Sequence, residues 1–124
     1  MAHVKEFIGK ATYDFSVDGG AVSTITPATN FTIPNNAIIT DCLMHTSTAM
    51  TSSGSATAAI AVGGITLHAA QAYNHGDWDD EDITIETIND KTTSSSALTF
   101  TVATAALTAG VVHFYVKYMI ALES

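Results

Sequence analysis

The chain has 124 residues, of which 47% are hydrophobic and only 13% charged, with a formal net charge of −8 and a pI near 4.6. That content excludes a disordered chain and fits one domain with its own core, while a charged share about half the usual ~25% leaves Thr, Ser and Asn to supply the polar surface. Four lysines and no arginine argue against a surface that grips DNA or RNA phosphates, and against an anionic membrane.

Residues 1–20 stand apart from the rest. Val4–Ile8 and Ala11–Val17 alternate like strands, with Tyr13, Phe15 and Val17 on one side, and Lys5 and Lys10 are half of the lysines. Asp18-Gly19-Gly20 is a turn or hinge signal. The segment reads either as edge strands or as an arm that docks on a neighbour, and residues 21–124 as the body. The start lacks the apolar core of a signal peptide, which leads to the expectation of a soluble protein made in a cytoplasm.

Val22–Thr26 reads as a short strand ended by Pro27, and Pro34-Asn-Asn-Ala37 as a tight turn after Asn30–Ile33. Ala37–Thr46 is the next strand, with Ile38, Thr40, Cys42 and Met44 on one face and Ile39, Asp41, Leu43 and His45 on the other. Neither face is cleanly polar, which predicts a central position. Ser47–Ser55 reads as a Ser/Thr loop. Ala56–Val62 and Ile65–Leu67 form a hairpin about Gly63-Gly64. Residues 68–76 carry the one helical signal, one or two turns ending at Gly76. Ile83–Ile85 follows an acidic stretch, and Asn89–Ser96 is a loop. Leu98, Phe100 and Val102 are the apolar face of the penultimate strand, with Thr99 and Thr101 outward. The final strand after Gly110 is the longest. It sets Val112, Phe114, Val116, Tyr118, Ile120 and Leu122 against a mixed face of Val111, His113, Tyr115, Lys117, Met119 and Ala121, and it is too short and too charged at Lys117 for a membrane helix. The expected fold is all-β, a β-sandwich or jelly roll of about eight short antiparallel strands with an N-terminal extended segment.

Chemistry is sparse. Asp77-x-Asp79-Asp80-Glu81-Asp82 begins like a calcium loop, but Asp82 replaces the sixth-position Gly and Ile88 the twelfth-position Glu, so the match fails. The histidines lack metal-site spacing, and His68 and His75 only flank the helical signal. Cys42, the single cysteine, sits in an apolar strand where a buried, inert thiol is the expectation. No nucleophile elbow or phosphate loop is present, so neither an enzyme nor a cofactor is expected. Trp78 in the acidic stretch reads as a lid on the core or as a loop anchor.

Phe31–Asp41, Thr51–Gly63 and Ala105–Tyr118 resemble small virion proteins of tailed bacteriophages, in particular the decoration or cement proteins that bind the outside of capsids. The resemblance implies a sandwich or jelly-roll body, often in homotrimers, that clamps neighbouring subunits of the major capsid protein on the virion surface. It also implies that the N-terminal segment does the clamping, which makes Val4, Phe7, Ile8, Tyr13 and Phe15 interface candidates. On the residues alone, the mixed face of the last strand (His113, Tyr115, Met119) suits a subunit interface. A rival reading is a receptor- or carbohydrate-binding module of a head or tail fibre using Trp78, Tyr73 and the acidic stretch; another is a sandwich with a ligand or enzymatic cavity, for which paired acid and base groups are lacking.

Overall fold

The computed structural model describes residues 2–75, 78 and 90–123, and the side chains of all of these except 2–4, 90 and 121–123. The strands are β1 (Ala2–Asp14), β2 (Ser23–Ile25), β3 (Thr32–Ile33), β4 (Ile38–Ser52), β5 (Thr57–Val62), β6 (Ile65–Ala72), β7 (Asp90–Lys91), β8 (Ser96–Ala97), β9 (Thr99–Ala103) and β10 (Leu107–Glu123), with one helical turn, α1 (Phe15–Asp18). They make an all-β sandwich. Sheet A has the order β1-β10-β4-β7, sheet B has β2-β9-β5-β6, and β3 pairs with β8. Among the described residues every ladder is antiparallel.

Sheet A is built on β10, the longest strand at 17 residues, with the 15-residue β4 and the 13-residue β1 on either side. Three strands are thus longer than the expected short ones. Alternation works as read in β10: Val112, Phe114 and Val116 are buried, while Val111, His113, Tyr115 and Lys117 are partly exposed. Leu98, just before β9, and Phe100 and Val102 within it face inward, with Thr99 and Thr101 outward. Phe100 joins the two layers. Its ring stacks on Tyr13 at 4.2 Å and meets Phe114 at 6.0 Å and Trp78 at 6.1 Å. Burying each such side chain stabilises the fold by about 1.5–3 kcal/mol.

Two turns follow the local chemistry. Gly63 and Gly64 have φ of 61° and 85° and join Val62 to Ile65 directly, the two-residue hairpin geometry that needs positive φ at both positions. Asn36, with φ of 64°, closes the turn after Pro34.

Three expectations are corrected. Residues 68–72 continue strand β6 rather than starting a helix, because Thr57↔Ala72 and Ala58↔Gln71 pairing recruits them, and tertiary pairing outweighs the modest helical preference of alanine. The Ser/Thr stretch from Ser47 to Ser52 is strand, paired to β10 through Val111↔Thr48 and Leu107↔Ser52. In β4 the phase changes at Thr40. Lys117 opposes Asp41 but Tyr118 opposes Ile39, so Thr40 is the extra residue of a β-bulge. Ile39 is therefore buried on the same side as Cys42 and Met44, not opposite them.

Residues 2–14 are an edge strand of sheet A in this structure, in unbroken register with β10 from Ala2↔Glu123 to Asp14↔Val111. Asp14 caps α1, accepting from the Ser16 amide at 3.0 Å. The Gly19-Gly20 pair is tied down. Tyr13 donates its hydroxyl to the Gly19 carbonyl at 2.6 Å, and the Leu107 amide donates to the Gly20 carbonyl at 2.8 Å.

Candidate interaction face

The register of β1 on β10 decides which side chains are offered outward. Ala11 opposes Phe114 and Tyr13 opposes Val112 in the core. The alternate residues Glu6, Ile8, Lys10 and Thr12 therefore lie on the outer face, opposite Met119, Lys117, Tyr115 and His113. From β4, Leu43 opposes Tyr115, His45 opposes His113 and Asp41 opposes Lys117 in one unbroken register. Three strands thus build one outer face.

Two shallow depressions meet on it. One, of about 240 Å³, is lined by Leu43, Met44, His45 and Tyr115. The other, of about 290 Å³, is lined by Ile8, Asp41, Leu43, Tyr115 and Lys117. Leu43 and Tyr115 belong to both and form the apolar middle. The polar rim is ordered by contacts: Lys117 Nζ lies 3.5 Å from Glu6 Oε1, and Lys10 Nζ lies 5.7 Å from the Tyr115 ring centre. The His113 ring stacks on His45 at 5.8 Å, with Nδ1 3.0 Å from Thr12 Oγ1 and Nε2 3.1 Å from Ser47 Oγ. Desolvation, followed by the charge of Lys10 and by His45, lowers the His113 pKa below its ordinary value, with Asp14 opposing. An apolar centre inside a hydrogen-bonded polar rim suits a protein partner.

The predicted residues divide between the two sides of the sheet. Ile8, His113, Tyr115 and Met119 share the outer face, and Ile8, at 68% exposure, is the most exposed of the large hydrophobics among the described residues. Phe7 turns the other way and stacks on Tyr118 at 5.5 Å. Tyr13 is fully buried because the odd residues of β1 face inward, and Phe15, the first residue of α1, packs against the core. Val4 pairs with Ala121, and its side chain is outside the described residues. Trp78 is 2% exposed, donates its indole N–H to the Ala72 carbonyl at 2.8 Å and packs on His68 at 5.1 Å. Its ring is a lid on the core, with no face left to stack a sugar. Tyr73 is half-buried beside it. Asp77 and residues 79–82, and with them the calcium question, lie outside the described residues, as does Ile83–Ile85.

Sequence reading missed Asp41, Leu43, His45 and Lys10 as members of this face. The alternation placing Leu43 with His45 was visible; the pairing of β4 and β1 on either side of β10 was not. Elsewhere, burial, helped by Asp41, pushes the Cys42 thiol pKa up to about 12, which makes it inert. Among the described residues no three His, Cys, Asp or Glu side chains converge as a metal site would require.

No protein-family model and no curated protein matches the chain. Solved structures do. A chain in the acidic stable capsid structure of Helicobacter pylori bacteriophage KHP30 superposes with a TM-score of 0.58 at 12% identity, covering 100% of both chains. A chain of the cyanophage Pam1 capsid asymmetric unit superposes with a TM-score of 0.61 at 18% identity, over 94% of this chain and 86% of the other. At these identities the shared property is the fold.

Proposed function

We propose that this chain is a non-enzymatic structural subunit of a bacteriophage virion, made in the host cytoplasm and seated on the outer capsid surface, where it cements neighbouring subunits of the major capsid protein. The observation that carries this reading is the end-to-end likeness to chains from two phage capsid structures. The outer face of sheet A supports it with an apolar centre, a polar rim and depressions too shallow for an enclosed substrate. The strand order supports naming the sandwich a jelly roll. With the two-residue β3 and β8 set aside, the first and last strands are neighbours in one sheet and the second and second-last in the other, the wrapped order of two Greek keys. The homotrimer implied by the family resemblance belongs to the same proposal.

The test is co-sedimentation with capsids of the parent phage stripped of this protein. The full chain is expected to pellet with them, and Tyr115→Ala and Leu43→Ala to stay in the supernatant while folded. Deleting residues 1–20 is a poor test, since it removes Ala11 and Tyr13 from the core. A folded full-length chain that does not pellet refutes the reading.

A further inference from the structure

We propose that two copies of this chain pair edge to edge through β1, antiparallel about a twofold axis at Ile8, joining two four-stranded A sheets into one continuous sheet. The argument begins with the four sheet edges. Exposed edges invite strand addition and are usually blunted by shortness or bulges. β2 has three residues and β7 two. β6 is broken by register shifts against β5 at two places. β1 has 13 residues and no irregularity against β10. Among the described residues the one bridge onto its open edge is Thr12–Thr29, at the end nearest α1.

Backbone polarity then restricts the register. The Thr12 amide donates to the Thr29 carbonyl at 2.9 Å, so at Thr12 the backbone groups point away from β10. In an unbulged strand this direction alternates, so Glu6, Ile8 and Lys10 also turn their N–H and C=O to the open edge, while the odd residues bond to β10. An antiparallel copy must oppose even residues to even residues. The register centred on Ile8 satisfies this. It sets Ile8 against its own copy and Glu6 against the copy of Lys10, twice by symmetry. Directly opposed side chains share a face, so both ion pairs and the Ile8 pair would lie on the outer face of sheet A. Centring on Glu6 or on Lys10 sets like charges together, and centring on Phe7 or Gly9 leaves Ile8 opposite a charged residue. The Thr29 bridge confines the ladder to residues 5–11 of each copy.

The charge distribution agrees. The chain carries −8, so most approaches between copies are repulsive, but residues 5–10 hold two lysines and one glutamate, a local +1. Lysines on an edge strand normally guard it. Here Lys5 lies over the Phe7 ring at 5.3 Å and Lys10 over Tyr115 of β10, along the faces of their own sheet. The Ile8 side chain, 68% exposed, would gain an apolar neighbour.

The proposal goes beyond capsid attachment and is tested without capsids, by sedimentation velocity on the purified full chain. The expected result is an even-numbered assembly, a hexamer where the proposed homotrimers pair through β1, that dissociates on dilution. Glu6→Lys alone and Lys10→Glu alone each turn two attractive pairs into repulsive ones and are expected to weaken association by about tenfold or more. Mixing the two variants restores opposite charges across the contact and is expected to restore the assembly. Ile8→Pro removes an N–H that faces the open edge and leaves the β10 ladder intact, so it is expected to abolish association with circular dichroism unchanged. A wild-type chain that stays monomeric at its highest soluble concentration, or is trimeric only, overturns the proposal. So does an assembly indifferent to both charge swaps and to Ile8→Pro.

Discussion

The two sheets enclose one core yet present opposite outer faces. The strands of sheet A hold all four lysines: Lys5 and Lys10 in β1, Lys91 in β7 and Lys117 in β10. The strands of sheet B hold no Lys, Asp or Glu, and outside positions such as Thr57, Ala59, Ala61, Thr99 and Thr101 are small and uncharged. A core constrains only inward residues, so the difference is not set by the core. Sheet A offers aromatic and aliphatic side chains inside an ion-paired rim, whereas sheet B offers short side chains with little to grip.

The most damaging change should be one that both sheets feel. Phe100 extends from sheet B onto Tyr13 and Phe114 of sheet A and onto Trp78. Phe100→Ala is expected to cost about 3–5 kcal/mol in urea unfolding. A cost below ~1 kcal/mol would mean that the sheets are not joined through this ring.

The next effect belongs to the inner side of sheet A. The Tyr13 phenol, desolvated and near Asp18 and Asp14, has its pKa raised to about 12, and the Cys42 thiol is likewise raised to about 12. Groups raised in the fold stay protonated there while the unfolded chain loses those protons from about pH 9–10 upward. Stability is therefore complete below pH 9 and is expected to fall as pH climbs toward 12. Tyr13→Phe with Cys42→Ala should flatten that decline in urea midpoints measured from about pH 8 to 11, and an unchanged slope would contradict the assignment.

What was legible in the sequence follows from what is local. Alternation in β9 and β10 depends on a single strand, and the Gly63-Gly64 hairpin on two residues, so both were readable. Position 40 was not, because a bulge is settled by the partner strand and shifts the face of everything before it. The expected alternation of Tyr13, Phe15 and Val17 stops at Asp14, because Phe15 opens the helical turn α1 and Val17 is exposed, and which face of Tyr13's strand met the core depended on pairing with β10. The outer face was half readable. His113, Tyr115 and Met119 come from one strand; Leu43, Asp41 and His45 join them only through long-range pairing. Trp78 was open between a lid on the core and a loop anchor, and the Ala72 carbonyl and the His68 ring, both outside the acidic stretch, hold it as the lid.

A smaller effect compares the two outer faces directly. Tyr115→Ala is expected to cost no more than ~1 kcal/mol of stability while removing capsid binding. Thr101→Ala on sheet B loses a hydroxyl contact of 3.2 Å with Thr24 and is expected to stay within ~0.5 kcal/mol and to keep binding intact. Loss of binding in Thr101→Ala at full stability would move the partner to sheet B and reverse the comparison.

The smallest expected effect is an acid dependence confined to sheet A. The His113 ring is held between Thr12 and Ser47, and desolvation, Lys10 and His45 lower its pKa, against the opposing pull of Asp14. A histidine lowered in the fold takes up its proton later than the same residue in the unfolded chain, whose pKa is near 6.5. Between these two values the unfolded state binds more protons, so stability rises with pH through that window and declines as pH falls below about 6.5. The ring is only partly buried, so solvent screening keeps the change slight. His113→Asn keeps a hydrogen-bonding side chain and removes the titration. Urea midpoints at about pH 7.5 and pH 5 should therefore differ less in His113→Asn than in the wild type. Equal differences in the two proteins would show that the acid response does not arise at His113.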